Sequence, residues 1–287
     1  MKITITVNEM DLKKIQESGQ VFRWRSSERG SLIISGEELF RIRKMNASVF
    51  EITLREGAFE RIVSPYLDLG RDYACVRERC FREAEKLSPA GREFIAKALR
   101  AGEGLRILRQ DPFEMLITFL ISQRKNIPAI SRAVETLCFS YGHPIRDLPE
   151  ELAGEGEIYA FPTAEELSRA SEEDLRACAL GYRAPYVKDA VDRVFSGRLD
   201  LQALSGLPDE ELISALREVL GVGAKVADCV ALFGFGRCNR APVDVWIGRA
   251  IERLGGENPF PVFGPDAGIV QQYVFYAMKH QAPLLDA

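Results

Sequence analysis

The hydrophobic period of the chain changes near residue 70, from two to that of helices, and this switch limits the fold to an α+β architecture with sheet and helices segregated. Upstream, Ile3, Ile5 and Val7 share one face and Phe22 and Trp24 another. Phe50, Ile52 and Leu54 repeat the pattern after a strand expected at residues 39–44. Turn signals at Ser18-Gly19, Glu28-Arg29-Gly30 and Ser35-Gly36 leave neighbouring strands close enough to pair antiparallel. Downstream, Ser88-Pro89, Asp111-Pro112, Thr163 with Glu166, Ser171 with Asp174, and Pro208-Asp209 place capping residues or prolines where helices would begin. The expected organisation is an antiparallel β domain over residues 1–68 and a mostly α-helical domain over residues 69–287. No parallel crossover pattern supports a doubly wound nucleotide-binding fold.

Composition narrows the function classes. With 287 residues, 46% of them hydrophobic and 28% charged, the chain has the make-up of a soluble globular protein. Its most apolar stretch, residues 113–121, contains Glu114 and Thr118 and falls short of the roughly 20 residues a spanning helix needs. A membrane protein is not expected. The N-terminus alternates apolar and polar residues where a signal peptide would be continuously apolar, so the cytoplasm is the expected compartment. Six cysteines, at positions 75, 80, 138, 178, 229 and 238, lack metal-ligand spacing, and with only two histidines neither a metal nor a cofactor is expected. The formal charge of -4 argues at first against a polyanionic ligand, but ten acidic residues and one basic lie in residues 147–174. That segment carries -9 and leaves the remainder at +5, so nucleic acid is not excluded. The segment itself reads as short helices and loop forming a solvated face.

Residues 209–254 carry the chemistry. Leu212, Ile213, Leu216, Val219 and Leu220 have helical spacing and run into Gly221-Val222-Gly223, after which Val226, Val230 and Phe233 resume it. The unit, residues 209–233, is a helix, a tight turn and a helix. Without side chains, the turn glycines let backbone N–H groups approach a phosphate oxygen. An ordinary helical hairpin would use the same glycines. Lys225 stands in the first turn of the second helix, where the positive end of the helix dipole disfavours an ammonium and favours the neutral, nucleophilic amine. Asp244, nineteen residues later in Ala241-Pro242-Val243-Asp244-Val245-Trp246, falls at the next helix start. A carboxylate held ionised there can stabilise developing positive charge or help deprotonate an amine; as a plain N-cap it would do neither.

At these residues the chain resembles the helix-hairpin-helix DNA glycosylases, and more closely their 8-oxoguanine DNA glycosylase/AP lyase branch. The resemblance extends in order over Ser18-Gly19-Gln20-Val21-Phe22-Arg23-Trp24, Asp111-Pro112-Phe113-Glu114 through Ser122-Gln123-Arg124-Lys125-Asn126-Ile127, Leu180-Gly181-Tyr182-Arg183-Ala184, and Ala267-Gly268 through Gln271 to Phe275. It implies a TATA-binding-protein-like N-terminal sheet, a last helix over about residues 266–280, and excision of 8-oxoguanine from duplex DNA in base excision repair. By the resemblance, Lys225 attacks the sugar C1′ and forms a Schiff base, and Asp244 is the essential acid. Gly19 offers its carbonyl to the N7 proton that guanine lacks. Extrusion of the base is required because its glycosidic carbon is inaccessible in the duplex. Phe275 and Cys229 then flank the base, and Gln271 reads its Watson–Crick edge. Tyr182 and Arg183 attend the orphaned cytosine, Arg124 fills the gap, and Gly221, Gly223 and Trp246 meet phosphate.

Departures from the branch pattern are specific. Arg124 stands where eukaryotic members have asparagine, and Ala129 replaces a second cytosine-reading arginine, so weaker discrimination for cytosine is expected. Trp246 replaces a phosphate-contacting histidine and Leu220 a proline. Two alternatives are a monofunctional alkylpurine glycosylase, which needs the aspartate and no lysine, and a non-catalytic hairpin clamp, which needs neither. The expected partner is double-stranded DNA containing oxidised guanine, bound by a monomer, associated with the nucleoid if the cell is bacterial.

Overall fold

The computed structural model describes residues 1–280. Five strands, β1 (Lys2–Thr6), β2 (Trp24–Ser27), β3 (Gly30–Ser35), β4 (Glu38–Lys44) and β5 (Val49–Thr53), form one antiparallel sheet in the order β1-β5-β4-β3-β2. The register sets apolar residues opposite one another: Ile3 faces Ile52, Ile33 faces Phe40, and Ile42 faces Ile52. A short helix α1 (Leu12–Glu17), absent from the strand reading of this region, starts at Asp11, whose carboxylate caps the N–H groups of Lys13 and Lys14. Only Ile15 of α1 is buried, too little periodic signal to reveal a helix. α1 and the sheet enclose one core with Trp24, Phe40, Phe50, Tyr66 and the returning Leu108.

Phe22 does not share that core with Trp24. It lies before β2 and packs edge-on against Phe119, ring centroids 6.1 Å apart, in the larger helical core. The chain crosses between the two cores at residues 22–24, so alternation there separates cores and does not mark a strand. The acidic segment also departs from the solvated-face reading. Leu152, Ile158 and Ala160 cover Leu32, Ile34 and Leu39 on the second face of the sheet, and Arg41 of β4 ion-pairs with Glu155. The apolar minority of that segment sets its position.

The helices follow: α2 (Tyr73–Ala84), α3 (Pro89–Ala101), α4 (Pro112–Ser122), α5 (Ile127–Tyr141), α6 (Ala184–Phe195), α7 (Asp209–Arg217), α8 (Ala224–Phe233), α9 (Val245–Arg253) and α10 (Ala267–His280). Ser88 caps α3, Asp111 caps α4 and Pro208 precedes α7, while Thr163 and Ser171 close capping boxes on two short helices. α4, buried along its length from Glu114 to Ile121, is the central helix against which α8 packs. No helix among the described residues is long and apolar enough to cross a membrane.

Candidate active site

The turn between α7 and α8 fixes everything around it. Gly221 has φ +82°, and a Cβ there would stand 2.5 Å from the Tyr186 ring, so only glycine fits. Gly223 differs. It is the N-cap of α8 with φ −88°, nothing lies within 4 Å of an added Cβ, and its surroundings leave the first N–H groups of α8 open to an approaching anion.

Lys225 is the second residue of α8 and is half-buried. Its Nζ lies 5.0 Å from the centroid of the Phe119 ring, which α4 supplies and which stacks on Phe233 of α8 at 5.6 Å. No carboxylate forms an ion pair with Lys225 among the described residues. Cys229, one turn further along α8, is buried; burial pushes its thiol pKa up, opposed by the charge and hydrogen bond of Lys225. Asp244 is the N-cap of α9, and its carboxylate accepts the Ile247 N–H at 2.9 Å.

These residues open onto one cleft of about 920 Å³. Gly19, Arg124, Lys225, Cys229, Asp244, Trp246, Gln271 and Phe275 all line it, over a floor of Phe22, Phe119 and Phe233. Gly19 has φ +75°, and its Cα side rests against the Phe275 ring, which a Cβ would approach to 3.3 Å. Its carbonyl accepts no hydrogen bond from the protein among the described residues. Gln271 is buried on α10; its Nε2 donates to the Pro242 carbonyl at 2.9 Å, and its Oε1 accepts from Gln272 at 3.0 Å, which fixes the amide's orientation. Arg249 stacks on Trp246 at 5.1 Å, so the indole carries a cation beside it.

Tyr182 and Arg183 do not line this cleft. Arg183 is buried and its guanidinium turns inward, donating Nε to the Gln123 carbonyl at 2.8 Å and stacking on Tyr182 at 4.3 Å. The Gln123 side chain donates to the Gly221 carbonyl at 3.1 Å, and Lys125 donates to the Ala179 carbonyl at 2.6 Å. Gln123 therefore ties three segments together: the loop with Arg124, the loop with Tyr182 and Arg183, and the hairpin. Arg124 itself is exposed with φ +54°, a conformation strained for a residue with a side chain.

Sequence reasoning missed Gln123, Lys125, Gln272 and Lys279. The first three contribute through contacts no spacing announces. Lys279 was within reach: Gln271, Phe275 and Lys279 recur every four residues on α10, one face of a helix.

An α+β fold with a helix-hairpin-helix, and a lysine and an aspartate at successive helix starts around one cleft, defines a class of DNA glycosylase folds. Residues 2–116 match the family model of the 8-oxoguanine DNA glycosylase N-terminal domain, and residues 117–262 match that of the HhH-GPD superfamily of base excision DNA repair proteins. The chain belongs to the HhH-GPD superfamily. The N-glycosylase/DNA lyase of Saccharomyces cerevisiae is 30% identical over 274 residues, 88% of this chain and 70% of its own. The crystal structure of the Clostridium acetobutylicum 8-oxoguanine glycosylase/lyase, with double-stranded DNA containing cytosine opposite 8-oxoguanine, superposes with a TM-score of 0.86 at 32% identity, covering 98% of each chain. The 3-methyladenine DNA glycosylase of Archaeoglobus fulgidus, at 17% identity and a TM-score of 0.74, shares the fold alone.

Proposed function

We propose that the chain is a bifunctional DNA glycosylase and AP lyase that excises 8-oxoguanine from duplex DNA. One observation carries this reading: the Lys225 amine and the Asp244 carboxylate open onto the same cleft, above an aromatic floor and beside Phe275 and Cys229. An alkylpurine glycosylase working with water has no use for the amine. A phosphate clamp has no use for either group.

In this mechanism the hairpin N–H groups hold the DNA backbone and the lesion turns into the cleft between Phe275 and Cys229. The Gly19 carbonyl, unpaired among the described residues, accepts the N7–H of 8-oxoguanine; against guanine it would meet a lone pair, a mismatch costing about 1–3 kcal/mol. The Lys225 amine gives its electron pair to C1′ as the glycosidic bond breaks, and the base departs with that bond's pair and takes up a proton. Asp244 stabilises the positive charge that develops on the sugar. Cleavage of the C1′–O4′ bond then opens the sugar ring of the adduct and gives the imine, O4′ taking up the proton that the amine loses, and removal of a C2′ proton expels the 3′ phosphate. Arg124 and Tyr182 face the gap and the opposite strand, and Trp246 with Arg249 meets phosphate. The proposal includes a monomer working on chromosomal DNA in the cytoplasm.

The test is a cleavage assay on duplexes carrying 8-oxoguanine opposite each of the four bases, beside a duplex with an alkylated purine. Strand cleavage at 8-oxoguanine is expected, with modest preference for cytosine because Ala129 supplies no second donor and Arg183 is committed to Gln123. Release of the alkylated base without strand cleavage would replace this reading with the monofunctional one, and binding without either product would leave a clamp.

A further inference from the structure

We propose that Lys279 is a positioning residue that holds the Gly19 segment against Phe275 and thereby fixes the carbonyl that reads the flipped purine. The inference rests on the 8-oxoguanine reading above and extends it to a residue outside the motifs of the resemblance. Lys279 lies one turn beyond Phe275 on α10 and lines the same cleft. Its Nζ sits 5.6 Å from the Phe275 ring centroid and donates to the Glu17 carbonyl at 3.2 Å. Glu17 ends α1, two residues before Gly19. One ammonium thus touches both the stacking ring and the segment that carries the reading carbonyl. His280 approaches the Glu17 carbonyl as well, at 3.3 Å.

The other side of Gly19 is anchored in the core. The buried Gln20 donates to Ser18 Oγ at 2.8 Å and to the Arg106 carbonyl at 2.9 Å, and its Oε1 accepts the Leu108 N–H at 2.8 Å. Gln110 holds the Gln20 carbonyl at 2.8 Å. Gly19 is therefore fixed from the core through Gln20, and from α10 through Lys279. A carbonyl that must tell an N–H from a lone pair needs this restraint, since hydrogen-bond energy falls steeply with distance and angle. Burial holds the Lys279 ammonium's pKa down, with the charges of Glu17 and Asp244 opposing, which places the side chain within the field of the Asp244 carboxylate.

The experiment compares single-turnover rates of the wild-type chain, Lys279→Met and Lys279→Arg on two duplexes, one with 8-oxoguanine opposite cytosine and one with a preformed abasic site. The abasic site has no base to read, so the ratio of excision to abasic cleavage reports base positioning. Lys279→Met keeps the stem and loses the donors; the ratio is expected to fall about tenfold, the loss of one well-aligned hydrogen bond, and Lys279→Arg to restore most of it. An unchanged ratio in Lys279→Met, or two rates that fall together, would overturn the inference. Failure of the wild-type chain to excise 8-oxoguanine overturns the substrate reading instead.

Discussion

Asp244 has one structural job and one proposed job, which a single substitution separates. As N-cap of α9 it accepts the Ile247 N–H, and as a carboxylate lining the cleft it has the proposed role of stabilising the positive charge that develops on the sugar. Asparagine caps a helix about as well, so Asp244→Asn is expected to change folding stability by less than about 0.5 kcal/mol. Excision is expected to fall by on the order of a hundredfold or more, because the charge is gone. Urea unfolding and single-turnover excision on the same preparation check both halves; equal excision by the variant would reduce Asp244 to a cap. At this scale the sequence was most legible where chemistry coincides with a local rule. Lys225 and Asp244 sit at helix starts that capping residues and glycines announce. Arg183 was legible as a residue and not as a geometry, since its inward turn depends on the Gln123 carbonyl sixty positions away.

The hairpin turn contains two glycines with different reasons for being glycine. At Gly221 the positive φ and the Tyr186 ring exclude a side chain, so Gly221→Ala is expected to destabilise the fold by about 1–3 kcal/mol. At Gly223 the space is open and φ is ordinary, so Gly223→Ala is expected to leave stability near the wild-type value. There the new methyl would stand beside the N–H groups at the start of α8, and duplex binding is expected to weaken on the order of tenfold. Thermal unfolding and a binding titration distinguish the two, and identical behaviour of the variants would remove the phosphate role from Gly223. Elements with strong periodicity and explicit caps, such as those from Pro89 and Pro112, could be placed from sequence. α1 could not, because a six-residue helix with one buried side chain leaves no period to read. Phe22 and Trp24 alternate as a strand would, but the alternation divides them between two cores.

A helical core, a core under the sheet and a smaller cluster on the sheet's second face hold the described residues together, and burial of one carboxyl within them has a pH signature. Burial pushes the Glu114 carboxyl up to about 7, against the opposing charge of Arg23. The folded state therefore holds this proton more tightly than the unfolded chain. The stability it contributes is fully present below the unfolded value of about 4.5 and is lost as pH rises through about 7. The urea midpoint is expected to fall over that window, and Glu114→Gln, which has no proton to lose, to show a smaller fall. A fall of the same size in the variant would assign the effect to other groups. Whole-molecule charge was the least informative sequence property. The acidic segment of residues 147–174 is anchored by Leu152, Ile158 and Ala160 and by the pairing of Glu155 with Arg41, none of which a charge count contains.

The most direct measurement is borohydride trapping on a duplex containing 8-oxoguanine, with the wild-type chain and Lys225→Ala side by side. Reduction of the imine should give a covalent protein–DNA adduct with the wild type, located at Lys225 by peptide mapping, and none with Lys225→Ala. An undiminished adduct in Lys225→Ala, or one that maps to Lys125 or Lys279, the other two lysines lining the cleft, would contradict the assignment of the nucleophile.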